Sequence, residues 1–109
     1  MRRLPSQLLK GALEGALLQI IAKHETYAYE LHQALVDAGF GEVADGTIYP
    51  LLLKLERTKQ IAGEKRASPN GGPPRKYYHL LPAGAAALAE FDADWAQLAK
   101  AMRRLKEDN

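Results

Sequence analysis

The spacing of apolar residues predicts helices in the first part of the chain. Apolar residues recur at intervals of three and four over 8–21, which is typical of a helix with one buried face. The same spacing predicts a second helix over 27–38, with Thr26 as its N-cap and Gly39 at its end. Two consecutive amphipathic helices are therefore expected.

A third helix is predicted within the segment DGTIYPLLLKLERTKQI, residues 45–61. Its apolar stripe at helical spacing consists of Ile48, Leu51, Leu52 and Leu55. Pro50 lacks an N–H and is expected in a first turn, so the helix should begin between Asp45 and Thr47. A short strand is expected just before it, at 41–43. The other faces carry hydroxyls, an aromatic ring and cations but no carboxylate, which suits an anionic partner. These faces consist of Gly46, Thr47, Tyr49, Pro50, Leu53, Lys54 and Arg57.

The second part of the chain changes from helical to extended spacing and back. Two short strands are predicted at 61–66 and 76–80, on either side of ASPNGGPP, a cluster of turn-forming residues. One long helix is predicted from Pro82 to about residue 106, because no helix breaker follows Gly84. Its apolar residues alternate in spacing between three and four, as in a seam between two helices. They are Leu88, Phe91, Trp95, Leu98, Met102 and Leu105.

Composition restricts the chain to one small domain. Its 109 residues suffice for a single modest core, and it has no cysteine for disulfides or thiolate chemistry. No charged segment followed by an apolar run indicates export, and no apolar run reaches the roughly 20 residues of a membrane-spanning helix. We therefore expect a cytoplasmic protein that does not contact membranes.

Positive charge is concentrated in one segment of the chain. The net charge is +2, but residues 54–79 hold seven bases and two acids, a balance of +5. A charged run is often only a solvated surface, but this one adjoins the carboxylate-free face of the third helix. The combination favours an anionic, hydrogen-bonding partner.

The order of the predicted elements is that of a winged helix-turn-helix. In that fold the third helix enters the major groove, and the hairpin, or wing, contacts the flanking backbone. The expected fold is therefore mainly α with a small β-hairpin wing, followed by a long C-terminal dimerisation helix. The predicted boundaries are 1–81 for the DNA-binding domain and 82–109 for the dimerisation helix, which together form one compact unit.

Three sequence blocks resemble the PadR family of transcriptional regulators: YAYEL, GTIYPLLLKLE and GGPPRKYYHLLPAG, in this order. The resemblance extends over about 8–102 and includes Phe91 and Trp95 of the last helix. It implies a homodimeric DNA-binding regulator or repressor whose C-terminal helix exchanges contacts with the partner subunit. The chain departs from the family pattern at Ala28, Leu53 and Leu81. At Leu53 an apolar contact, for instance with a thymine methyl, would replace a polar one.

The candidate DNA contacts lie on the third helix, on the wing and at the start of the second helix. They are Thr47, Tyr49, Lys54, Arg57, Arg75, Lys76 and Tyr27. Residues of the third helix are expected near base edges of an inverted-repeat operator, and those of the wing near phosphates, although the cations could simply be solvated. Tyr27 could either pack on the core or contact a phosphate. One of Tyr77 and Tyr78 must face inward, because side chains alternate along a strand.

The apolar stripe of the last helix needs a cover, which one small domain does not fully supply. The expected homodimer interface consists of Leu88, Phe91, Trp95, Leu98 and Met102. Phe91 and Trp95 could also line a pocket for a planar hydrophobic small molecule at the dimer centre, although simple interface packing is the commoner role.

No metal, cofactor or catalytic chemistry is expected. The histidines, His24, His32 and His79, lack both cysteine companions and the spacing of a metal site. The sequence also lacks a Ser, His and Asp arrangement and a phosphate-binding glycine loop before a helix. The alternative to a DNA-binding regulator is a winged-helix protein-interaction module without specific DNA binding. The basic wing argues against that alternative, and salt-sensitive retention on nonspecific duplex would separate the two.

Overall fold

The structure, a computed structural model, describes residues 2–107. Its helices and strands, in chain order, are α1 (Ser6–Leu9), α2 (Leu13–Lys23), β1 (Thr26–Tyr27), α3 (Ala28–Ala38), α4 (Asp45–Arg57), β2 (Ile61–Arg66), β3 (Arg75–Leu80) and α5 (Pro82–Glu107). The strands form one antiparallel sheet in the order β1, β3, β2. The fold is therefore mainly helical with a small sheet and a long C-terminal helix, as the sequence predicted.

The first predicted helix is divided into α1 and α2. Leu9 and Leu13 on either side of the break are buried, whereas Leu8 is 66% exposed. A tight turn, in which the Ala12 N–H donates to the Leu9 carbonyl at 2.9 Å, separates the two helices. The apolar stripe thus predicted most of the buried face but not the turn, which rotates Leu8 away from the core.

The short strand lies at Thr26–Tyr27, and the expectation of a strand at 41–43 was wrong. Thr26 pairs with Tyr78 and Tyr27 pairs with Tyr77, so β1 extends the hairpin to three strands. A strand of two residues shows no alternation, and its partner lies far along the chain. Spacing could therefore not reveal it.

The start of α3 also differs from the expectation, because Thr26 is not its N-cap. Tyr27 holds that position, and no side chain caps the helix there. Thr26 is instead fully buried, and its hydroxyl donates to Glu30 Oε1 at 2.9 Å. The other end is as predicted: Gly39 adopts a φ of 112°, and its N–H donates to carbonyls of the last turn.

α4 begins at Asp45 as predicted, but Pro50 lies in its second turn rather than its first. Because proline has no N–H, the Gly46 carbonyl lacks its usual helical donor. The predicted core stripe is confirmed, since three of its residues are buried and the fourth is partly buried. These are Ile48, Leu52 and Leu55, with Leu51 partly buried.

Two glycines bring α5 close to the rest of the subunit. In the first turn of α5, Gly84 lies so near Gln60 that an added Cβ would overlap the Gln60 carbonyl oxygen. The Leu81 N–H donates to the same oxygen at 3.0 Å. Further along α5, the Phe91 ring lies over Gly15 of α2, where a Cβ would overlap the ring. These contacts fix the direction of α5 relative to the other helices.

Candidate nucleic-acid interface

The exposed face of α4 borders an open groove beside the wing. On this face Tyr49 is 46% and Leu53 is 59% exposed. Thr47 is also exposed, but it lines a different cavity, beside α1. The groove encloses about 460 Å³ between α4, the start of α3 and β3. We call it the aromatic groove, and it is lined by Tyr27, Ala28, Tyr29, Tyr49, Leu53, Pro74, Arg75, Lys76 and Tyr78.

A cluster of aromatic rings with one guanidinium lies along the side of the aromatic groove opposite α4. The Tyr27 ring centroid lies 5.3 Å from that of Tyr77 and 6.5 Å from that of Tyr29. The Arg75 guanidinium carbon lies 4.5 Å from the Tyr27 ring centroid. Stacking orients the guanidinium, and no carboxylate of residues 2–107 forms a salt bridge with it. Arg75 is therefore an oriented, unneutralised hydrogen-bond donor.

Tyr29 is a residue of the aromatic groove that was not among the candidate contacts. It is 68% exposed and stacks on the Tyr27 ring. Tyr29 is the second tyrosine of the block YAYEL and lies off the apolar stripe of α3. An aromatic residue outside the apolar stripe is the sequence signal that could have identified it as a surface contact.

Two of the candidate cations form ion pairs within the chain. Lys54 Nζ lies 2.8 Å from Glu14 Oε2 of α2, and Lys76 Nζ lies 2.8 Å from Glu56 Oε1 of α4. Arg57 is exposed, and the described part of the chain offers it no salt-bridge partner. The candidate cations therefore divide into paired and unpaired groups.

A further ion-pair network connects the wing to the residue before β1. Arg66 donates to both carboxylate oxygens of Glu25, at 2.8 and 2.7 Å, and to Glu64 at 2.6 Å. The hydrogen bonds from Arg66 hold the pKa of Glu25 below its ordinary value of 4.5, and they raise the pKa of Arg66. Two carboxylates thus balance this guanidinium, and the wing is less positive than its count of bases suggests.

The inward-facing tyrosine of β3 is Tyr78, which is 5% exposed, whereas Tyr77 is only partly buried. This confirms the prediction that one of the two packs inward. Burial, with smaller contributions from Glu56 and Tyr49, raises the pKa of Tyr78 to about 12. A phenol with the ordinary pKa of 10 is already neutral at physiological pH, so this shift does not change the charge of Tyr78 there.

The outer half of α5 has an uncovered apolar face in the single chain. Trp95, Leu98 and Met102 are each more than half exposed, at 53%, 56% and 52%. Leu88, which was expected at the dimer interface, is buried in the core of its own subunit. The open part of the predicted interface therefore begins beyond Leu88.

Phe91 and Trp95 line an open cleft between α5, α2 and α3. Their ring centroids are 6.1 Å apart with an interplanar angle of 17°, which is a stacked arrangement. The cleft encloses about 450 Å³. Its other lining residues are Ala12, Gly15, Ala16, Gln19, Ile20, Lys23, His24, Ala34, Leu35, Ala38 and Phe40.

Residues 2–107 contain neither a membrane-spanning helix nor a cluster of metal ligands. None of the helices within residues 2–107 has the length and apolarity needed to cross a membrane. Over the same residues, no group of three or more His, Asp or Glu side chains is placed to hold a metal ion.

α4 is exposed beside the wing, which is part of the three-stranded sheet, and two further helices lie behind it. This arrangement defines a winged helix-turn-helix protein. The family model for PadR-like transcriptional regulators matches residues 17–90 of the chain. The chain therefore belongs to the PadR-like family of transcriptional regulators, which confirms the resemblance seen in its sequence.

Individual relatives support this assignment over nearly the whole chain. A PadR-like transcriptional regulator from Bacillus cereus is 43% identical with a TM-score of 0.84, over 94% of this chain and 99% of that one. A Streptococcus transcriptional regulator is 46% identical with a TM-score of 0.81, over 92% and 97%. A transcriptional regulator from Mycobacterium tuberculosis is 33% identical over 84% of this chain and 82% of its own length.

Proposed function

We propose that the chain is a homodimeric repressor that binds an inverted-repeat operator through α4 and the wing. The aromatic groove is the observation that supports this most, because it places the exposed face of α4 opposite the oriented guanidinium of Arg75. A recognition helix needs donors for base edges on one side and donors for the flanking phosphates on the other. The groove offers both.

The proposed contacts divide between bases and backbone. Thr47 and Tyr49 of α4 contact base edges, while Leu53 packs against an apolar base substituent such as a thymine methyl. The residues proposed to contact bases or phosphates through charge are Lys54, Arg57, Arg75 and Lys76. Tyr27 orients Arg75 by stacking and lies beside the same backbone.

The dimer forms through the exposed outer half of α5. An apolar stripe on a long helix is stabilised when a second helix covers it. The described residues up to 81 then serve as the DNA-binding domain and α5 as the dimerisation helix, while residues 1, 108 and 109 of the predicted boundaries lie outside the described part of the chain. Two subunits related by a two-fold axis present two α4 helices, so they read the two halves of an inverted repeat.

A planar hydrophobic small molecule is the proposed effector, and its site is the cleft lined by Phe91 and Trp95. The molecule relieves repression if it binds more tightly to a dimer geometry in which the two recognition helices cannot enter adjacent major grooves than to the DNA-bound geometry. A panel of planar aromatic compounds should include ligands that quench Trp95 fluorescence and weaken operator binding. If no compound of the panel gives either result, the proposed effector is wrong, while the proposed DNA binding is unaffected.

Selection from a random duplex pool followed by fluorescence anisotropy tests the DNA interface. Tyr49→Ala should weaken operator binding by about 1–3 kcal/mol per half-site, with a smaller effect on random duplex. Arg75→Ala should weaken binding to both about equally and reduce the slope of log K against log salt by about one per subunit. Lys100→Ala removes an exposed cation from α5 as the matched control and should change neither.

Two outcomes would contradict this interface. One is a folded Tyr49→Ala protein with unchanged operator affinity. The other is a Lys100→Ala protein that loses as much DNA affinity as Arg75→Ala. Arg75 would then act only through the net charge of the protein and not through a contact with DNA.

A further inference from the structure

Two lysines at the proposed DNA surface are each held by a carboxylate from a neighbouring element. Lys54 of α4 donates to Glu14 of α2, and Lys76 of β3 donates to Glu56 of α4, each at 2.8 Å. Both acids lie at the border of the proposed DNA surface, and Glu56 belongs to α4 itself, so the outward faces of that helix are not free of carboxylates as the sequence suggested. Their effect on binding therefore has to be considered alongside that of the lysines.

Gly63 of β2 makes room for one of these ion pairs. The Lys76 side chain crosses Gly63 in the space that a Cβ would occupy, and Glu56 Oε2 lies 3.1 Å from the same point. The Lys76 and Glu56 side chains are only 36% and 23% exposed. The glycine thus gives the lysine a path across the hairpin to its carboxylate.

Pairing changes what a lysine can do at DNA. A free lysine is a mobile point charge that can neutralise whichever phosphate is near. A paired lysine has its charge largely balanced and its ammonium held in one place, with two of its three N–H groups still available. It attracts an arbitrary phosphate weakly, yet it can donate to an acceptor that lies at the right position.

Folding stability does not account for the Lys54–Glu14 pair. Its side chains are 49% and 35% exposed, and exposed ion pairs contribute little to folding. The pair matters more where a phosphate competes with Glu14 for the lysine.

We propose that Glu14 and Glu56 are specificity-determining residues, which position Lys54 and Lys76 and weaken binding to DNA that lacks the operator. This inference rests on the DNA-binding function proposed above. Specificity is a difference between two affinities, so it increases when the competing complex is weakened. The carboxylates weaken that complex without removing the lysines that the operator complex uses.

Glu14→Gln tests the proposal in anisotropy titrations of operator and random duplex over a range of salt. Affinity for random duplex should rise about two- to fivefold per subunit. The slope of log K against log salt should steepen by about one per freed lysine. Operator affinity should change less, because the lost positioning offsets the gained charge. Glu90→Gln removes the same charge from an exposed residue of α5 and should leave the ratio of the two affinities unchanged.

Two more variants separate positioning from total charge. Gly63→Ala displaces Lys76 from Glu56 without altering the net charge. It should lower the ratio of operator affinity to random-duplex affinity, as Glu14→Gln does. The effect of Glu14→Gln should disappear when Lys54 is already replaced by glutamine, because the two residues act as a pair. Circular dichroism establishes that each variant is folded.

An unchanged ratio in both Glu14→Gln and Gly63→Ala would overturn the proposal. So would an effect of Glu14→Gln that persists in the absence of Lys54, since it would then be independent of positioning. Failure of the unmodified protein to bind either duplex at low salt is a different result, because it refutes the proposed function itself.

Discussion

Replacing Gly84 with alanine tests how α5 is held against the rest of the subunit. Gly84 is buried in the first turn of α5, and an added Cβ would overlap the Gln60 carbonyl oxygen. The Cβ would also lie 2.9 Å from the Gln60 carbonyl carbon and 2.8 Å from Leu80 Cδ1. The Leu80 side chain can rotate away, but the backbone carbonyl cannot, so α5 has to move outward.

Three effects determine the free energy of unfolding of Gly84→Ala. Overpacking against fixed backbone costs about 1–3 kcal/mol. Outward movement also breaks the 3.0 Å hydrogen bond from Leu81 to Gln60, which contributes about 0.5–1.5 kcal/mol. The better helix propensity of alanine offsets at most about 1 kcal/mol. The net expectation is a loss of about 2 kcal/mol.

Urea unfolding measures this loss. The protein concentration is kept fixed, because the stability of the proposed dimer would depend on it. Gly46→Ala is the matched control: Gly46 also lies in the first turn of a helix, but nothing is within 4 Å of its added Cβ. That variant should gain up to about 1 kcal/mol. A Gly84→Ala protein that is as stable as the unmodified protein, or more stable, would refute the close contact.

Three further predictions concern assembly, acid stability and a buried hydroxyl. Leu98→Glu should yield monomers at micromolar concentration in analytical ultracentrifugation, because it places a charge in the exposed apolar face of α5; a folded monomer without the substitution would contradict the dimer. The lowered pKa of Glu25 means that its ion pair stabilises the fold above pH 4.5 and loses this effect as the pH falls below that value. Glu25→Gln should therefore flatten the decline of melting temperature with acid, and an unchanged decline would show that the pair does not persist in solution. Thr26→Val should cost about 1 kcal/mol in urea unfolding, because the buried hydroxyl loses its bond to Glu30. The loss should shrink when Glu30 is already alanine, and an equal loss would point to packing instead.

The helices and the hairpin could be predicted because each has a periodic signal of its own. β2 has the predicted bounds, β3 begins one residue earlier than predicted, and α5 begins at Pro82 as expected. The strand β1 and the turn between α1 and α2 could not be predicted in this way. Each involves only two or three residues, which are too few to show a period.

The candidate site could be predicted only in part. The outward face of α4 follows from its apolar stripe, because the buried residues determine which others point away from the core. The pairing of Lys54 with Glu14 does not follow, since the two residues are 40 positions apart and charge shows no period. The stacking of Arg75 on Tyr27 likewise depends on the pairing of β1 with β3, which is a contact between distant parts of the chain.

The length of α5 makes it a lever arm. Its 26 residues, at about 1.5 Å each, extend about 39 Å from the first turn. A tilt of about 5° at Gly84 therefore displaces the far end by about 3 Å. In the proposed dimer, which is joined through the outer half of α5, the same tilt rotates each DNA-binding domain by about 5° about Gly84. The two α4 helices of the proposed dimer would have to match a helical repeat of about 34 Å along DNA, so the close contacts at Gly84 and Gly15 would determine which spacing of half-sites it accepts.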